Sequence, residues 1–323
     1  MITTSHLTKR FDKLAAVDNL NLNIEEGEVF GLLGPNGAGK TTTINLLITL
    51  LKPTSGTATV NGIDVVKNPA QVRKNIGVVF QEPSVDDLLS GKENLEMHAM
   101  LYSMPGELRR KRVEEVLELV ELTDRKDDWV KTYSGGMRRR LELARGLMHH
   151  PKVLFLDEPT LGLDPQTRQH IWKYIARLAK EENMTVVLTT HYMEEADLLC
   201  SRIGIMDRGK IVALGTPKKL KHEVGGDVVI IRQDGFDRSC LKGLKLVKKV
   251  KVEGDEVFLT VEHAHENLQR LLAAVGKVKS VEVREASLND VFLKYTGRKY
   301  REEEEGAEGG WAERTMHAES QRD

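Results

Sequence analysis

The sequence predicts an α/β fold followed by a small α+β module, and three observations lead there. Short apolar, β-branched runs recur through the first two thirds: EVFGLL at 28–33, IGVVF at 76–80, VLFLD at 153–157, TVVLTT at 185–190 and IGIMD at 203–207. Apolar runs without alternation fit parallel strands buried on both faces. The first run leads directly into a glycine-rich turn and then the helix-patterned TTTINLLITLL. Beyond residue 217 the period changes to alternating runs and a Gly-Asp turn.

Between Phe80 and Val153 the pattern is helical, predicting a helical subdomain over about 84–150. Ser90 and Glu93 form a capping box opening ENLEMHAMLYS. A second helix is predicted over 107–119, with apolar residues at 113, 116, 117 and 120. A boundary falls in GTPKKLKHEVGG, 215–226. After it, DVVIIRQ, KLVKKVKV and VFLTVE read as strands, the last two a hairpin about Gly254-Asp255. AHENLQRLLAAVG reads as a helix and KVKSVEV as a strand, and Ser287 with Asp290 caps a final helix in SLNDVFLKYTG. Residues 298–323 carry four consecutive glutamates and almost no aliphatic side chains, the composition of a disordered tail. Three parts are expected: 1–217, 218–297 and 298–323.

Composition narrows the function classes. The 323 residues hold 48 Lys+Arg against 49 Asp+Glu, a balance unlike a generic nucleic-acid binder. No run approaches the ~20 apolar residues that span a bilayer. The N-terminal MITTSHLTKRF has no signal-peptide core. Cys200 and Cys240 cannot make a disulfide framework or a multi-cysteine metal site. A soluble, cytoplasmic, reduced protein is expected.

The segment Gly34-Pro35-Asn36-Gly37-Ala38-Gly39-Lys40-Thr41 matches G-x-x-x-x-G-K-[ST], set between a strand and a helix. Glycine lets backbone N–H groups turn around phosphate oxygens, and the helix start adds positive potential. Lys40 is placed to reach the β- and γ-phosphates, and the Thr41 hydroxyl to meet Mg²⁺. Downstream, VLFLDE ends an apolar strand in two carboxylates. Asp157 suits a metal ion, usually through water, and Glu158 suits orienting an attacking water. The basic run Arg138 to Arg140 reads as a solvated helix face, too short for a nucleic-acid claim.

Between these motifs stands YSGGM, 133–137, followed by RRRLELARGLMHHPKVLFLDEPTLGLD. Here residues 1–217 resemble the ATP-binding-cassette (ABC) ATPases, which implies a P-loop NTPase fold with a RecA-like core and a helical subdomain. Gln81 matches the family's Q-loop glutamine and Ser134-Gly135-Gly136 its signature. Asp157 and Glu158 match Walker B, Leu161 to Asp164 the D-loop, and His191 the switch histidine. Phe11 stands where the family stacks an aromatic on adenine. The resemblance implies that ATP contacts Phe11, Gly34 through Thr42, and the partner's counterparts of Ser134, Gly135, Gly136 and Asp164. It implies Mg²⁺ at Thr41, Gln81 and Asp157, and catalysis by Glu158, His191 and Gln81. Two subunits would then sandwich two ATPs head to tail. Tyr133 and Met137 replace the usual Leu and Gln, so an altered signature geometry is expected. Met137 has no amide to donate.

A single Walker A loop argues against translation-type members, which carry two cassettes. The short gap to the signature, without heptads or cysteine pairs, argues against chromosome-type members. Intact Glu158 and His191 argue against a regulatory cassette. The C-terminal SLNDVFLKYTG, with QEPSVDDLLSGKENL and YSGGMRRRLELARGL, resembles drug-export ABC ATPases of the daunorubicin-resistance type. That resemblance implies a second ATPase subunit, with a homodimer expected, and a separate membrane permease of the ABC-2 exporter type. It implies no nucleic-acid partner, and a place on the inner face of the cell membrane through the permease. The alternative is an ABC ATPase acting on the ribosome or nucleic acid.

Overall fold

The computed structural model describes residues 1–296 apart from 83, 182, 225, 234–235, 242–243 and 262–263. The expected tail at 298–323 lies outside them. The chain opens with a hairpin that the sequence pattern does not predict, β1 (Ile2–Phe11) and β2 (Leu14–Ile24). β3 (Val29–Leu33) is buried at every position and leads to α1 (Lys40–Leu47). β4 (Ser55–Val60) and β5 (Ile63–Asp64) complete an antiparallel sheet of order β2-β1-β4-β5. α2 (Pro69–Asn75) and β6 (Ile76–Val79) follow, then three helices, α3 (Gly91–Leu101), α4 (Gly106–Leu119) and α5 (Gly135–Leu147). The expected Ser90–Glu93 capping box opens α3.

The chain then alternates: β7 (Val153–Asp157), α6 (Pro165–Glu181), β8 (Thr185–Thr190), α7 (Met193–Leu199), β9 (Arg202–Asp207) and β10 (Lys210–Gly215). The second sheet has the order β10-β9-β3-β8-β7-β6, parallel except for β10. Its central strands β3, β8 and β7 are buried at every position, as their unbroken apolar runs require. Leu154, Leu156, Val186 and Leu188 face the helical side with Leu141, Leu143 and Ile171. Val153, Phe155 and Val187 face the first sheet and α1, with Leu7, Leu20 and Ile44. The topology brings the C-terminal ends of β3, β8 and β7 side by side: Leu33 opposes Thr190, and Thr189 opposes Asp157. Loops leaving neighbouring strand ends are where open parallel sheets hold ligands.

α8 (Pro217–Glu223) leads to a third sheet, built from β11 (Asp227–Arg232), β12 (Val247–Glu253), β13 (Glu256–Val261) and, after α9 (Ala264–Val275), β14 (Ser280–Arg284). Its order is β12-β13-β11-β14, all antiparallel, and it has its own core with α9. The final helix, α10 (Leu288–Thr296), is capped by Ser287 and Asp290 but packs elsewhere. Its Leu288, Val291 and Phe292 join Ala213 and Leu220 in the helical-side core of the first part. Tyr295 Oη donates to Glu223 at 2.6 Å beside them. Among the described residues no helix is long and apolar enough to cross a membrane.

Candidate active site

The loop between β3 and α1 is shaped by two glycines. Gly37 has φ +77° and no heavy atom within 4 Å of the Cβ position it lacks, so its backbone faces open space. Gly39, the α1 N-cap, has φ +106°, and a Cβ there would sit 2.2 Å from the Ala16 carbonyl. At Gly39 the left-handed backbone and the Ala16 carbonyl together leave no room for a side chain. Ala38 N–H donates to Pro35 O at 3.1 Å, closing the turn around Asn36, which is exposed. Lys40 is 5 % exposed and donates to Gly34 O at 2.7 Å. Thr42 is half-buried on α1 beside it.

The carboxylates of β7 face this loop. Thr41 Oγ1 donates to Asp157 Oδ1 at 3.3 Å, across 116 residues of chain, and Thr189 Oγ1 donates to the same oxygen. Glu158 is buried, with Oε1 3.4 Å from Lys40 Nζ and Oε2 2.7 Å from His191 Nδ1. A carboxylate only accepts, so this pairing places the proton on Nδ1. Burial pushes the Glu158 carboxyl up; the His191 hydrogen bond and the Lys40 charge outweigh it and hold it below the usual carboxylate range. Glu158 adopts φ +49°, an unusual conformation for a residue other than glycine. Its N–H is held by Thr189 O at 3.2 Å and Thr189 Oγ1 at 3.1 Å.

The remaining candidates divide between this cluster and a second one. Gln81 is exposed just past β6, the neighbour of β7. Phe11 is 45 % exposed at the tip of the β1–β2 hairpin, with Lys9 Nζ 5.1 Å from its ring centre. The hairpin reaches the phosphate loop through Ala16. Ser134 opens α5, its Oγ accepting from Met137 N–H at 3.2 Å. Gly135 and Gly136 pack toward Leu163 and Thr167, and Asp164 accepts from the Thr167 hydroxyl at 2.6 Å. Signature and D-loop residues thus sit together at the turn before α6.

The helix at the signature starts on an ordinary serine N-cap. Met137 donates to it through its backbone, and its side chain packs on the core. Tyr133 is buried, and its hydroxyl donates to Arg125 O at 2.7 Å. One expectation needs correction: the basic run is not a solvated face. Arg138 pairs with Asp87 at 2.7 Å and Arg140 donates to Val120 O at 3.0 Å. Arg139 is 8 % exposed, and its guanidinium donates to the carbonyls of Phe80, Asp157, Glu158 and Pro159. A helical signal for this existed: Arg139 shares the stripe of Leu143 and Gly146, four and seven residues on. Sequence reasoning also missed Glu195. It is fully buried on α7, with Oε1 accepting from Thr160 Oγ1 at 3.0 Å and Trp172 Nε1 at 2.9 Å.

These donors fit the groups a nucleoside triphosphate brings. An open cradle, a lysine and a helix start suit phosphate oxygens. The Thr41–Asp157 oxygen pair suits a hard cation. Among the described residues no cluster of three or more His, Cys, Asp or Glu could hold a metal by itself, so such an ion would complete its shell with phosphate oxygens and water. Loop, carboxylates and parallel sheet together define a P-loop nucleoside triphosphatase.

Comparison with known proteins narrows this. The ABC transporter family matches residues 17–161, and the family "ATP-binding protein DrrA1-3-like, C-terminal domain" matches 215–296. The daunorubicin resistance ATP-binding protein DrrA2 of Streptomyces coeruleorubidus is 43 % identical over 304 residues, covering 91 % of this chain and 94 % of that protein. The linearmycin resistance ATP-binding protein LnrL of Bacillus subtilis is 39 % identical over 312 residues, covering 94 % and 100 %. The dimeric post-hydrolysis structure of the cassette MJ0796 with ADP and phosphate superposes with a TM-score of 0.60 at 32 % identity, covering 67 % and 98 %. The chain belongs to the ABC transporter ATPases, closely related to the Drr-type drug-resistance subunits. It is the ATP-binding and ATP-hydrolysing subunit of an ABC transporter, and it uses ATP with Mg²⁺.

Proposed function

We propose that this subunit powers export, driving a separate permease of the ABC-2 type from the cytoplasmic face of the membrane. The relatives it matches are named for resistance to daunorubicin and linearmycin, and others for Nod factor export. The cargo class proposed is a drug, lipid or similar molecule. Residues 1–217 form the motor, 218–297 an accessory module and 298–323 a tail. Exposed Leu88, Met97, Met100 and Leu101, beside the Gln81 segment, offer the permease an apolar seat. No nucleic-acid partner is involved.

The working unit is a homodimer, with Ser134, Gly135, Gly136 and Asp164 of each copy completing the other's nucleotide site. Phe11 stacks on the adenine, and residues 34–42 wrap the phosphates. Thr41, Asp157 and Gln81 would hold Mg²⁺, which would offset phosphate charge when bound. Lys40 exchanges Glu158 for the phosphates as nucleotide binds. Glu158, released from Lys40 and still held by His191, orients the attacking water through its free lone pairs. His191 stays within reach of both Glu158 and the developing charge. The dimer closes because ATP binds the closed pair more tightly than the open one, and closure moves the permease.

The observation that carries this is the Lys40–Glu158–His191 cluster beside Thr41–Asp157. Affinity purification of the tagged chain from detergent-solubilised membranes tests the partner. A polytopic permease should co-purify in equal amount, with ATPase activity. Recovery with ribosomes or nucleic acid, and no membrane protein, would overturn it.

A further inference from the structure

The buried Arg139 joins three segments that carry separate parts of the site. It lies five residues past Ser134 on α5, the helix whose start bears Ser134, Gly135 and Gly136. Its Nη1 donates to Phe80 O at 2.6 Å, the carbonyl immediately before Gln81. Its Nη2 donates to Glu158 O at 3.1 Å and to Asp157 O at 3.3 Å. Its Nε donates to Pro159 O at 2.6 Å. One planar fork therefore fixes the carbonyls flanking Gln81, the metal-side carboxylate and the water-side carboxylate. Guanidinium suits the task because its donors are coplanar and rigidly spaced, and it stays charged when buried.

The Glu158 backbone needs such a clamp. At φ +49° it sits in a region that non-glycine residues hold only when their surroundings over-determine it. Thr189 holds its N–H from one side and Arg139 its carbonyl from the other. Glu195 holds the next turn through Thr160. The carboxyl is thereby aimed at Lys40 and His191 instead of away from them.

The geometry points to Arg139 as a positioning residue that couples the two nucleotide sites of the dimer. This inference rests on the head-to-tail reading above. When α5 is drawn onto the partner's γ-phosphate by Ser134–Gly136, Arg139 moves with the helix. It then carries the Phe80–Gln81 and Asp157–Pro159 segments of its own site into catalytic register. Each site becomes competent only when its own signature helix is engaged on the other nucleotide. Arg139 donates to four backbone carbonyls, so it acts through the segments it holds.

Two variants, R139K and R139M, test this against the wild type and E158Q, with melting temperature recorded for each. Lysine keeps a buried cation but can satisfy fewer carbonyls, whereas methionine keeps the stem alone. Binding of a fluorescent ATP analogue to the full chain without Mg²⁺ should change less than ~3-fold, because the phosphate loop does not touch Arg139. The turnover number of R139M should fall ~10–100-fold with KM nearly constant, the size expected from an ångström-scale misplacement. R139K should recover part of that loss. The Hill coefficient for ATP should drop toward one in both variants. A folded R139K and R139M with wild-type turnover and Hill coefficient would overturn the coupling role. So would a parallel loss of nucleotide binding and turnover, which marks a merely structural residue. If E158Q itself turns over ATP at the wild-type rate, the head-to-tail catalytic reading fails instead, whatever Arg139 does.

Discussion

Glu158, Lys40 and His191 show how a few side chains set one another's state. The Lys40 ammonium bonds both to the phosphate loop, at Gly34 O, and to the Glu158 carboxylate. K40A should cut ATP affinity by at least ~10-fold, the effect of losing a charge-assisted phosphate contact; unchanged binding of a fluorescent ATP analogue would contradict it. Glu195 makes a pH prediction of definite sign. Burial raises its carboxyl above the usual 4.5, with the hydrogen bonds from Thr160 and Trp172 opposing only part of that. A raised acid pKa means the folded state holds the proton more tightly. That contribution is complete below the unfolded pKa and is lost as pH rises through the folded one. E195Q keeps an acceptor for Thr160 and Trp172 and cannot ionise. Its melting temperature should therefore fall less than the wild type's when pH is raised from the acidic to the neutral range. Identical slopes would show that Glu195 does not titrate there. Tyr133 is structural at this scale: Y133F should cost about 1 kcal/mol of stability through the lost bond to Arg125 O, with turnover unchanged.

At the scale of elements, packing decides what belongs together. α10 follows the small module in sequence but buries Leu288, Val291 and Phe292 in the first core. F292A should destabilise the protein by about 3 kcal/mol, the cost of emptying a buried aromatic site, seen as a lower urea midpoint. Removing 298–323 should leave both melting temperature and ATPase rate intact. A large loss there would show that the tail contributes to the motor. The strands of the parallel sheet were legible because burial on both faces forces unbroken apolar runs. The β1–β2 hairpin was not, because register shifts and left-handed residues at His6 and Asn19 break its alternation. The phosphate loop, the Walker B carboxylates and His191 were legible because chemistry restricts those residue types. Arg139 was hidden in a run of three arginines. Composition cannot say which of three adjacent cations turns inward; only the 3.6-residue period singles out its stripe with Leu143 and Gly146. Glu195 was hidden for the converse reason, as an acid in an acidic first helical turn, MEEAD.

For the whole molecule, the features fall into two groups. Lys40, Thr41, Asp157, Glu158 and His191 meet at the strand ends, while Ser134–Gly136 meet the turn at Asp164. In the function proposed above, the two groups complete each other's nucleotide site across two copies. Among the described residues no helix is long and apolar enough to cross a membrane. The most direct test is gel filtration of E158Q with Mg·ATP. Hydrolysis should be lost while ATP binding remains, so the variant should elute as a stable dimer with ATP and as a monomer without it. A variant that stays monomeric with ATP and hydrolyses it at the wild-type rate would contradict the paired-site account.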